Sequence, residues 1–163
     1  MHRNVRIKGF TLIELLVTVA IVAIVASVAV PSFATMIANG RIASTSNDLV
    51  GLINYARAEA VKQGRVVRVS PQDGNDWANG VAAWIDQNAN NAFDASEAIR
   101  VIPAAPGAVT VTSTGNFGFT GGGSSFAGAA VTIDVCDDRS GEAGSEITVT
   151  LGGRVRAGDE PCA

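Results

Sequence analysis

The chain has 163 residues, 47% of them apolar, and 12 Lys and Arg against 15 Asp and Glu give a net charge of −3. An acidic balance excludes a general attraction to nucleic acid or anionic lipid, so any such binding has to be local. The single histidine, His2, stands at the extreme N-terminus and only two cysteines are present, which disfavours a nucleophile–histidine enzyme and a zinc-type site.

The first predicted element is an apolar run over residues 10–30, interrupted by one charge, Glu14. Its length matches the roughly 20 residues that a helix needs to cross a bilayer core. A carboxylate inside such a run costs about 2.5–3.5 kcal/mol on insertion scales, so its presence points to a task. Two plainer readings stand beside that one. The first is an uncleaved anchor whose Glu14 reaches the headgroups. The second is a secretory signal with Arg3, Arg6 and Lys8 as its basic region and Ser27-Val28-Ala29 as its cleavage site, although the run exceeds the usual 7–15 residues. In each reading the basic residues stay cytoplasmic and the chain after about Ser32 faces the other side.

Gly9-Phe10-Thr11-Leu12-Ile13-Glu14 resembles the processing site of type IV prepilins and type II secretion pseudopilins. The resemblance implies that a prepilin peptidase cuts between Gly9 and Phe10 and that the new terminus, Phe10, is N-methylated. Residues 1–9 would be a leader, 10–31 a transmembrane and assembly helix, and 32–163 a periplasmic head with a helix over 32–63 and a β-rich part over 65–163. The implied partners are other pilins or pseudopilins through the N-terminal helix, the prepilin peptidase, the assembly platform and ATPase, and the inner membrane. The implied course runs from a single-pass inner-membrane precursor to a pilus or pseudopilus. Loss of Arg3, Arg6 and Lys8 would leave 9 basic against 15 acidic residues, a net of −6. The freed α-amine, which ordinarily titrates at about 7.7–8.0, is mostly cationic at neutral pH. Glu14 lies in the first helical turn, where a negative charge meets the positive end of the helix dipole. In a packed filament it can instead neutralise a neighbour's terminal amine and remove two charges from lipid.

Leu49, Leu52, Ile53, Ala56 and Ala60 recur at helical spacing on one face, with Arg57, Glu59 and Lys62 on the other. Gly64 is placed to end this helix. Pro31 predicts a kink and Asn39-Gly40 a second weak point. Short strands are predicted over 65–70, 80–85, 98–102, 109–112, 131–135 and 147–151, with a flexible loop at 121–125. Helix first and antiparallel strands afterwards is an α+β plan, with a sheet packed on the helix. It agrees with the pilin fold that the N-terminus implies. The segments 55–60 and 80–86 with Trp77 resemble the minor pilin subfamily containing FimT, FimU and GspH. Cys136 and Cys162, both on the translocated side, read as a disulfide worth about 3–4 kcal/mol by loop-closure entropy.

Three further features are candidate sites. Asp86, Asn88, Asn90, Asp94 and Glu97 fall at positions 1, 3, 5, 9 and 12 of a 12-residue stretch, the ligand spacing of an EF-hand calcium loop, with Asn91 where glycine is expected. The alternative is a polar hairpin loop rich in turn-forming Asn and Asp. Arg154 and Arg156 share one side of an extended segment, and Gly152-Gly153-Arg154-Val155-Arg156 resembles the Gly-Arg-x-Arg motif of FimT proteins that bind DNA. This gives a second functional reading, a filament-tip DNA receptor for natural transformation. Against it stand the acidic balance, with Asp159 and Glu160 close by, and the simpler role of arginines that guard an edge strand. Trp77 and Trp84 are possible stacking residues, with Trp84 favoured as core.

Overall fold

The computed structural model describes residues 9–139, 141 and 143–162, so Arg3, Arg6 and Lys8 lie outside the described residues. One helix, α1 (Leu12–Gln63), opens the chain and is continuous through Pro31 and Gly40. Two compact units divide the chain, one up to Ile37 and one from Ala38 onward.

In the first unit α1 is apolar on all sides, with a mean hydropathy of 2.7 over its most apolar stretch and none of that stretch buried within the chain. Leu12, Ile13, Leu16, Val22, Val25 and Val28 are all more than half exposed. A helix that is hydrophobic all round requires an apolar surround.

In the second unit α1 turns Ile42, Leu49, Leu52, Ile53, Ala56 and Ala60 into the core, the face its spacing predicts. Gly64 ends it at φ +63°, and the Arg65 amide donates to the Ala60 carbonyl, closing the last turn. Among the described residues eight strands follow: β1 (Val67–Pro71), β2 (Val81–Trp84), β3 (Ala98–Ile102), β4 (Thr110–Ser113), β5 (Phe117–Phe119), β6 (Val131–Cys136), β7 (Ala143–Val149) and β8 (Val155–Pro161). They form two antiparallel four-stranded sheets, ordered β3-β2-β1-β5 and β4-β6-β7-β8, in place of the one sheet that the strand pattern predicts. β2 is buried at every position, whereas β6 alternates between buried and accessible residues.

The tryptophans belong to this core. Trp77 stacks on Phe117 with ring centroids 6.0 Å apart, and Trp84 is buried with its indole N–H donating to Ser70 Oγ at 2.9 Å. Neither is available as a platform for bases. The glycine run at 121–123 is also more defined than a flexible loop. The Gly123 amide donates to the Thr120 carbonyl and the Thr120 amide to the Ser124 carbonyl, while a Cβ on Gly121 would meet the Gly64 backbone at 2.7 Å. Cys136, at the end of β6, is bonded to Cys162, just past β8. The bridge lies against Gly144 of β7, where a Cβ would come within 2.6 Å of Cys162 Sγ and 2.8 Å of Cys136 Sγ.

Candidate functional site

Gly9 and Phe10 stand ahead of α1 and are exposed, Phe10 by 91%. Thr11 is the cap. Its backbone amide and its hydroxyl both donate to Glu14 Oε2 at 2.8 Å, and the Glu14 amide donates back to Thr11 Oγ1 at 3.3 Å. This is a reciprocal capping box, which satisfies amides that the start of a helix leaves without carbonyl partners. The signal for it is the pattern Thr-x-x-Glu, which the charge reading of Glu14 alone does not use. Glu14 therefore has a local task within the single chain, and the cap holds its carboxylate at the very end of the apolar helix.

At the other end of the chain, β8 is an edge strand. Arg156 is paired with Thr148 and Val155 with Val149; Val155 packs on the core, so Arg154 and Arg156 share the outer face and are exposed. The same alternation puts Glu160 on the arginine face and Asp159 on the other. Cross-strand pairing brings further acids to that face. Glu146 stands opposite Gly158, diagonal to Arg156, and Asp134 stands opposite Glu146. Burial first and the Glu146 charge second push the Asp134 carboxyl above its ordinary range. The face is thus basic at one end and acidic through its middle.

Arg57 positions the turn from which Arg154 springs. Its Nε donates to the Gly123 carbonyl at 2.8 Å and its Nη2 to the Gly152 carbonyl at 3.1 Å. Gly153, at φ +77°, has no room for a side chain, since a Cβ would come within 2.9 Å of Arg57 Nε and press on the Gly123 carbonyl. Sequence spacing assigns Arg57 to the polar face of the helix; the structure makes it a half-buried clamp on two glycine turns. Only the crowding of glycines at 121–123 and 152–153 hints that something must approach them closely.

The 86–97 segment connects β2 to β3. Asp86 accepts from the amides of Asn90 at 3.2 Å and Asn91 at 3.1 Å, and Asn91 has the positive φ, +58°, that its position requires. Glu97 is buried, and its Oε1 accepts from the amides of Gln87 at 2.8 Å and Asn88 at 3.2 Å. Asp94 Oδ2 accepts from Asn88 Nδ2 at 2.8 Å and from Asn90 Nδ2 at 3.0 Å. Arg68 Nη2 lies 3.6 Å from Asp86 Oδ2 and donates to Asn91 Oδ1 at 2.6 Å. Among the described residues no three His, Cys, Asp or Glu side chains converge as a ready metal cluster.

Residues 45–153 match the family described as type II transport protein GspH, and residues 5–30 match the prokaryotic N-terminal methylation motif. The chain belongs to the GspH family. The fold of this GspH-family chain is that of the type IV minor pilin FimU of Pseudomonas aeruginosa. One crystal form of FimU gives 20% identity, a TM-score of 0.65 and coverage of 74% of this chain and 90% of FimU. A second gives 21% identity, a TM-score of 0.61 and coverage of 71% and 90%. No curated protein matches significantly.

The GspH family and the pilin fold are those of structural subunits that assemble with other pilins into a filament, and the methylation motif with its apolar helix is that of a membrane-anchored pilin. The match places Arg57 and the 86–97 loop inside the family region. Arg154 and Arg156 lie just beyond it.

Proposed function

We propose that this GspH-family chain is made as a single-pass inner-membrane precursor with a periplasmic head. Prepilin peptidase cuts it between Gly9 and Phe10, and the Phe10 amine is methylated. It then enters a type II secretion pseudopilus or a type IV pilus as a minor subunit without enzymatic activity, through an assembly platform. The observation that carries this reading is the start of α1: an accessible Gly9-Phe10 junction followed at once by a capped carboxylate and an apolar stretch of helix with none of it buried. Such a helix needs lipid or other subunits around it, and Glu14 makes lipid the costlier of the two.

A DNA-receptor role for Arg154 and Arg156 is the weaker reading. Their shared exposed face favours it, while Glu146, Asp134 and Glu160 on the same face oppose it. Two phosphate contacts would give a salt slope of only about −2.

A deletion strain complemented with wild type or with Arg154→Gln/Arg156→Gln tests both readings. The filament account expects the deletion to impair exoprotein release or twitching and the double variant to restore it. A deletion that leaves release, twitching and transformation all intact would refute the account. Transformation lost with the double variant alone would instead establish the DNA reading.

A further inference from the structure

We propose that the 86–97 loop binds one calcium ion. The observation behind this is Glu97. Its side chain is 4% exposed, its Oε1 is held by two loop amides, and its Oε2 is buried with no hydrogen-bond partner. A buried acceptor without a donor is costly, and more so when it belongs to a carboxylate. The Oε1 bonds fix the carboxylate at the loop, so the unpartnered oxygen sits there too. A hard cation that takes oxygen ligands at about 2.3–2.6 Å would satisfy it.

The other donors suit the same ion. Asp86, Asn88, Asn90 and Asp94 supply oxygens at the first, third, fifth and ninth positions, with Glu97 at the twelfth. No His or Cys lies in this loop, and an all-oxygen set favours calcium or magnesium over zinc or copper. Magnesium demands a near-ideal octahedron and gives up its water reluctantly, whereas calcium accepts irregular geometry. The strands take over the task of the helix pair that brackets an EF-hand loop. Trp84 of β2 pairs with Ala98 of β3, and the Ile85 amide donates to the Glu97 carbonyl at 3.2 Å, so the two ends of the loop are tied together.

Binding would change one local arrangement. The amide nitrogens of Asn88 and Asn90 both donate to Asp94 Oδ2, standing where a cation would sit between oxygens. The oxygens of the two amides accept from the backbone amides of Asn90 at 3.0 Å and Ala92 at 2.8 Å, so turning them to the ion gives up those bonds, and the ion replaces the two donors on Asp94. The loop carries three carboxylates, Asp86, Asp94 and Glu97, and the Arg68 guanidinium stands 3.6 Å from Asp86, so a net of two negative charges is left for a dication to balance. This is a modest site, in the range of about 0.1–1 mM found for extracellular modules.

The full-length chain in detergent micelles is titrated with CaCl2, following tryptophan fluorescence and Tm. Trp84 is a suitable reporter, edge-on to Phe93 within the loop at 6.0 Å. The expected result is a saturable fluorescence change with a midpoint of about 0.1–1 mM and a Tm rise of several degrees at about 10 mM CaCl2, with little response to MgCl2. Asn90→Ala, at an exposed position, should weaken binding about tenfold or more with the fold intact. Glu97→Gln should abolish it. No response up to about 10 mM CaCl2, an equal response to MgCl2, or a response retained by both variants would overturn the proposal.

Discussion

Replacing Glu14 by leucine should leave the precursor inserted and cleaved but reduce its recovery in sheared filaments to about one-hundredth of wild type. The carboxylate acts twice in this account. Within one chain it closes the capping box with Thr11 and so steadies the helix start. In lipid it costs about 2.5–3.5 kcal/mol, which is relieved when the subunit leaves the bilayer and Glu14 meets a neighbour's terminal amine. Leucine removes that penalty and the pairing together, so the membrane becomes the better environment. Thr11→Ala separates the two tasks, since it removes the hydroxyl half of the box and keeps the charge. Near-normal incorporation of Thr11→Ala beside failure of Glu14→Leu is the expected pattern, read by immunoblotting of sheared and membrane fractions. Equal incorporation of Glu14→Leu and wild type would remove charge pairing as the driving force.

Loss of the disulfide is the second large effect. The bridge closes a loop of 26 residues in sequence separation, which by loop-closure entropy corresponds to about 3.5 kcal/mol. For a head of this size the double variant Cys136→Ser/Cys162→Ser should melt on the order of 10 °C lower. β8 is an edge strand paired only with β7, and the bridge ties its far end back to β6 across Gly144. The damage should therefore fall first on β8, visible as loss of amide protection over residues 155–161. Wild type held in reductant should reproduce the variant's Tm. A double variant that melts within a degree or two of wild type would show that strand pairing alone secures the C-terminus.

Sequence pattern carries most of the architecture because its signals are long. Among the described residues the core face of α1, its end at Gly64 and five of the eight strands follow directly from spacing and from turn residues, while β7 is legible only over its last three residues. β5 escapes because Phe117-Gly118-Phe119 is too short to show alternation and has a glycine at its centre, required by Phe126 and the Val67 carbonyl pressing on that position. β8 is legible only at its start, because its exposed run of Arg, Gly, Asp and Glu lacks an apolar face. The second sheet is hidden for a related reason: alternation shows that a strand has a buried face but not which partners share it. The same limit applies to the sites. Spacing places Arg154 and Arg156 on one face, yet only strand register reveals Glu146 and Asp134 beside them. Arg57 reads as a solvent residue because its partners are backbone carbonyls 66 and 95 residues away.

The proposed filament role requires one cut, at the Gly9–Phe10 bond, so that a cationic terminus and the Glu14 carboxylate begin the same apolar helix. Mass spectrometry of the N-terminal peptide from protein recovered from cells tests it most directly. The expected peptide begins at Phe10 and carries one added methyl group on its amine. A peptide that begins at Met1, after Ala29, or at any residue other than Phe10 would contradict it.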